Sequence, residues 1–97
     1  MIRESSFQSG LIRELREMFP GCYILKNDPT CIQGFPDITI LYGPRWATLE
    51  CKRSANADRQ PNQEYYVEDL NNMSYSAFIY PENKEEVLYE LQQALGA

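Results

Sequence analysis

Histidine is absent from all 97 residues. Without imidazole there is no Ser-His-Asp or Cys-His nucleophile, no HExxH zinc site and no nuclease chemistry built on a histidine base. Cysteine is scarce: Cys22, Cys31 and Cys51 are odd in number and show no CxxC spacing. That pattern speaks against both a structural zinc site and a disulfide framework. Long apolar runs are missing too. The stretch Phe35 to Leu41 is broken by Pro36 and Asp37, so no segment reads as a membrane span. The opening Met-Ile-Arg-Glu-Ser-Ser has no apolar core of a signal peptide, which points to a cytoplasmic protein with no membrane partner. Any catalysis must then run on carboxylates, lysine, hydroxyls and an oxygen-ligated metal.

Basic charge is thin in the last third. Residues 60–97 hold Lys84 alone against seven acids, whereas residues 1–59 hold eight Lys/Arg and seven Asp/Glu. The net charge of −5 therefore leaves room for a neutral or basic working face. With 43% hydrophobic and 24% charged residues, the chain has an ordinary globular balance, and its length suits one compact domain over residues 1–97.

Phe7, Leu11, Leu15 and Met18 recur at spacings of four, four and three, which predicts an amphipathic helix over Glu4–Phe19. Ser5 and Gln8 suggest a capping box, and Pro20-Gly21 stops the helix. Cys22–Leu25 reads as a buried strand. Ile38–Tyr42 and Trp46–Lys52 read as two strands about a short loop at Gly43-Pro44-Arg45. A second helix is expected over Asp58–Asn72, with Pro61 in its first turn, and a short strand over Ala77–Tyr80. A third helix follows Pro81, with Val87, Leu88, Leu91, Ala94 and Leu95 as its apolar stripe. The order α-β-β-β-α-β-α predicts an α/β fold, a mixed sheet covered by helices.

The hairpin carries the chemistry. Side chains alternate along a strand, so Thr48, Glu50 and Lys52 share one face and Ala47, Leu49 and Cys51 the other. On the partner strand, Asp37 and Thr39 form the polar set. A loop near Pro44 brings Asp37 opposite residues 50 and 51, beside Lys52. Two carboxylates so placed repel unless a proton or cation joins them. Mg²⁺ suits such a site, binding through one or two carboxylates and waters, and the backbone carbonyl of Cys51 adds a further oxygen. Lys52 can position or deprotonate the attacking water, or neutralise charge on a phosphate.

Pro36-Asp37 followed by Glu50-Cys51-Lys52 resembles the PD-(D/E)xK nuclease superfamily, and more narrowly its small stand-alone virus-type VRR-NUC nucleases of phage genomes. The resemblance covers nearly the whole chain, from Glu4 through Gly34-Phe35-Pro36-Asp37 to Gln63. It implies a restriction-endonuclease-like αβββαβ core. It also implies a Mg²⁺-dependent endodeoxyribonuclease, with Mn²⁺ substituting, in which Asp37 and Glu50 bind the metal and Lys52 assists the water. Glu4 reaches the metal directly or through water, with Glu14 as its rival on the same helix. Gln63 lies near the active site, with Gln60 as its rival. A homodimer acting on Holliday-junction-like or flap DNA is implied in turn. The alternatives are a duplex-nicking enzyme of phage replication or packaging, and a catalytically silent DNA-binding subunit. Lys26, Arg53 and Arg59, with Arg45, flank the site and are candidate phosphate contacts. Trp46, Tyr65 and Tyr66 read as packing residues. The segment Asn27–Gly34 is either a substrate-facing loop or a plain connection.

Overall fold

The computed structural model describes residues 3–96. Helix α1 spans Glu4–Met18, strand β1 Tyr23–Lys26, β2 Ile38–Tyr42 and β3 Arg45–Cys51. Helix α2 spans Gln63–Met73, β4 Tyr75–Ile79 and α3 Lys84–Leu95. The expected α/β class and element order hold. The four strands form one mixed sheet in the order β1-β2-β3-β4. β1, β2 and β3 are antiparallel neighbours, whereas β4 lies parallel to β3. A parallel neighbour cannot be reached by a tight turn, and α2 makes the crossover.

Period-two alternation decides which face is which. Ile38, Ile40, Ala47, Leu49, Cys51 and Ile79 turn to one side of the sheet and are fully buried. They meet Phe7, Leu11, Leu15 and Phe19 from the α1 segment and Val87, Leu88, Leu91 and Leu95 from α3 in one core. Burying each of the Leu, Ile, Val and Phe side chains among them stabilises the fold by about 1.5–3 kcal/mol. The opposite face carries Thr48 and Ser76, whose hydroxyls bond at 2.7 Å. Helix α2 covers the β3–β4 half of this face, burying Val67 and Leu70. A two-residue turn at Gly43-Pro44 pairs Tyr42 with Arg45. Gly43 sits there at φ +59°, the positive φ that a type II′ turn demands at its first position.

Several expectations need correction. The Ser5–Gln8 capping box does not form. Arg3 occupies the N-cap position without a side-chain cap, and Glu4 opens the helix, where its charge suits the N-terminal dipole. β1 is an edge strand rather than a buried one, with Tyr23 and Leu25 exposed. Helix α2 begins five residues later than Asp58. Asn62 precedes it in the left-handed region at φ +72°, a conformation that a right-handed helix cannot contain. β4 starts at Tyr75, two residues early, and ends at Ile79. The expected stripe of α3 includes Ala94, which is exposed. Ahead of α3, Asn83 closes the turn: Oδ1 accepts from Tyr80 N–H and Nδ2 donates to the Phe78 carbonyl.

Candidate functional site

The register Ile38↔Leu49 places Asp37, one residue before β2, across from Glu50 on β3. Asp37 Oδ2 accepts the Cys51 N–H at 2.9 Å, extending the ladder by one side-chain rung. Glu50 and Lys52 follow each other on one face, and both are buried, at 2% and 6% exposure. Glu4, from the first turn of α1, and Gln63, from the first turn of α2, complete the group. With Arg53, Ala57, Asp58 and Gln60 they line a polar cleft of about 310 Å³.

The electrostatics are those of crowded carboxylates. Burial first and Asp37 second push the Glu50 carboxyl up to about 8, with Lys52 opposing the shift. Glu4 is raised by burial and then by Asp37, with Lys52 and Arg53 pulling the other way. Gln63 Nε2 donates to Glu50 Oε2 at 3.1 Å, while Gln63 Oε1 accepts the Gln60 N–H at 2.8 Å. Lys52 Nζ donates to the Asp58 carbonyl at 2.9 Å. Glu50 Oε1 is buried and has no partner. An unmatched buried acceptor costs about 1–3 kcal/mol, so this oxygen calls for a proton shared with Asp37 or for a cation.

That orphan oxygen is the test of fit for a metal. Among the described residues, no three His, Cys, Asp or Glu side chains are gathered into a ready cage. Mg²⁺ needs no such cage, since it keeps several waters and takes one or two carboxylates. Asp37, Glu50 and the Cys51 carbonyl fit it as hard oxygen donors. Cys51 N–H points to Asp37, and the carbonyl of a strand residue leaves the same edge as its N–H. The Cys51 thiol is not a donor here: it is buried in the core, and that burial, then Asp37, raises its pKa.

The remaining candidates separate. Glu14 is held at 2.9 Å by Lys84, away from the cleft, so Glu4 is the α1 carboxylate at the site. Gln60 contributes its backbone N–H and Gln63 its side chain. Arg53 lines the cleft. Arg59 does not; its guanidinium lies 3.8 Å over the Phe78 ring and pairs with Glu64 at 3.3 Å. Lys26 lies on a neighbouring apolar hollow of about 370 Å³ with Leu25, Ile32 and Phe35, to which the Asn27–Gly34 segment contributes. Tyr66 packs against Phe35 at 5.8 Å and leaves Tyr65 exposed. Sequence reading missed Asn27, whose Nδ2 donates to the Pro36 carbonyl at 2.8 Å and to Thr39 Oγ1 at 2.9 Å. It thereby braces the segment that delivers Asp37. The missed Asp58 acts through its main chain, for which no residue type is a signal. In comparisons with protein-family models, with curated proteins and with solved structures, this chain has no match.

Proposed function

We propose that this protein is a Mg²⁺-dependent endodeoxyribonuclease, with Mn²⁺ able to substitute, that hydrolyses phosphodiester bonds in DNA. The observation that carries the reading is Glu50: a buried carboxylate with one unpartnered oxygen, facing Asp37 and Lys52 in a polar cleft. A purely structural sheet gains nothing from such a group. Asp37, Glu50 and the Cys51 carbonyl would hold the cation, and Glu4 adds negative charge at the rim. Bound there, the cation supplies positive charge against the scissile phosphate and acidifies a water. Gln63 fixes one Glu50 oxygen and leaves the other free. Lys52 offers its ammonium to the charge developing on the phosphate, or in its neutral form takes a proton from the attacking water. Arg53 is placed to meet a neighbouring phosphate. The resemblance to stand-alone VRR-NUC nucleases suggests a homodimer acting on Holliday-junction-like or flap DNA.

The experiment is a cleavage panel over linear, nicked, flap and four-way DNA with Mg²⁺, Mn²⁺ and EDTA. Branched DNA should be cut with either metal and left intact in EDTA. Asp37→Ala should abolish cutting with the fold retained. Lys52→Ala should lose cutting while still binding Mn²⁺. Full activity in EDTA, or in Asp37→Ala, would sink the reading. Preferred nicking of linear duplex would favour a replication or packaging role, and junction binding without cleavage a silent DNA-binding subunit.

A further inference from the structure

Two chain segments cross at Gly34 with no room for a side chain. A Cβ on Gly34 would lie 2.7 Å from Asn62 Cβ, 2.7 Å from the Pro61 carbonyl oxygen and 2.9 Å from the Asn62 carbonyl carbon. Two of those three atoms are main chain and cannot rotate away. Both residues also take left-handed backbone, φ +88° at Gly34 and +72° at Asn62. Glycine enters that region freely, and asparagine more readily than other side chains. The crossing joins the turn that leads into Asp37 to the end of the strap formed by residues 53–62.

The strap in turn holds two side chains of the cleft. The Asp58 carbonyl receives Lys52 Nζ at 2.9 Å. The Gln60 N–H fixes Gln63 Oε1 at 2.8 Å, which commits Gln63 Nε2 to Glu50. The strap contains no helix or strand of its own. Its other ties include Ala55 N–H to Glu82 at 3.3 Å, Arg59 over Phe78 and Arg59 to Glu64 at 3.3 Å. Neither Gly34 nor Asn62 lines the cleft.

We propose that Gly34 and Asn62 are positioning residues. Their close crossing sets where the strap lies, and through the Asp58 carbonyl and Gln63 it aims Lys52 and Glu50. This rests on the nuclease reading only for what those two side chains then do.

Gly34→Ala adds one methyl group at the crossing. Exchange of the Gln63 side-chain amide, followed by NMR, reports the effect without metal or DNA. It should quicken by about tenfold in Gly34→Ala as the strap loosens locally. Mn²⁺ affinity should fall by about tenfold, the usual scale when a ligand's supporting contact is lost. Cleavage of flap DNA should lose kcat on the order of tenfold to a hundredfold with KM little changed. Asn62→Gly removes one of the obstructing atoms and keeps the left-handed backbone accessible, so Gly34→Ala/Asn62→Gly should recover part of all three. An unchanged Gln63 amide in Gly34→Ala, or a double variant no better than the single, overturns the proposal whether or not the protein cuts DNA. If Gly34→Ala shows the amide response while the wild type cuts nothing with Mg²⁺, the nuclease reading is overturned and the positioning role stands. If Gly34→Ala does not fold, Asn62→Val at this exposed position strains the crossing from the other side. It must quicken the same amide, and an unchanged amide there overturns the proposal.

Discussion

Glu50 titrates in the range of ordinary buffers because burial and Asp37 both disfavour its charge. Its folded pKa of about 8 lies above the ordinary glutamate value of 4.5. Between those values the metal-free native protein holds a proton that the unfolded chain has released. Stability from this group is therefore fully present below the lower value and is lost as pH rises through the upper one. Glu50→Gln keeps the shape of the neutral acid. It should flatten the pH dependence and raise the melting temperature of metal-free protein on the alkaline side, as read by thermal melts. A variant less stable than wild type at alkaline pH would contradict this. A cation competes with the same proton, so Mn²⁺ affinity of the wild type should climb by about tenfold per pH unit and level off near the folded pKa. Calorimetric titration across that window gives the slope, and a flat profile would place the cation elsewhere.

At the scale of elements, the hairpin was the most legible part of the chain. Alternation from Ile38 to Ile40 and from Ala47 to Cys51, with a Gly-Pro turn between, determined the faces and brought Asp37 to Glu50 by local geometry alone. The α1 stripe was equally readable, because Phe7, Leu11 and Leu15 obey the helical period and are all buried. Leu15 has no solvent exposure, so Leu15→Ala should cost about 2–5 kcal/mol, measured by urea unfolding. A loss below about 1 kcal/mol, close to the scale of a surface change, would mean that α1 does not seal the core. The strap was not legible. Residues 58–62 can be read as a first helical turn that tolerates Pro61, but Lys52 claims the Asp58 carbonyl and Asn62 turns left-handed against Gly34. Those are contacts between distant segments, and local pattern does not record them. The exposure of β1 was hidden for the same reason, since edge and centre differ only in what pairs beside them.

For the molecule as a whole, an acidic chain that acts on DNA must concentrate its attraction at one place. Arg53 lies at the cleft, while Arg59 is already engaged by Phe78 and Glu64. The proposed reading therefore predicts a shallow salt dependence, from two to four phosphate contacts per protomer at about 0.9 log units each. Ca²⁺ should strengthen junction binding by the wild type and not by Asp37→Asn, measured by fluorescence anisotropy. Equal binding by both proteins with no Ca²⁺ response would show that the phosphate sits elsewhere. The hairpin also orders events in time. A two-residue turn joins β2 to β3, whereas β3 must wait for the whole α2 crossover before β4 can dock. Hairpins close in about 1–10 μs, and non-local pairing is slower. If the hairpin closes first, Asp37 and Glu50 come together while still hydrated, and the strap strips their water last. On that order the penalty of confining them would fall after the folding barrier. Glu50→Gln should slow unfolding and leave refolding nearly unchanged in alkaline, metal-free stopped-flow experiments. A change confined to the refolding rate would reverse that order. On the proposed reading, readiness for a cation would be set at the last step of folding, when the strap closes over two carboxyl groups that the hairpin has already gathered.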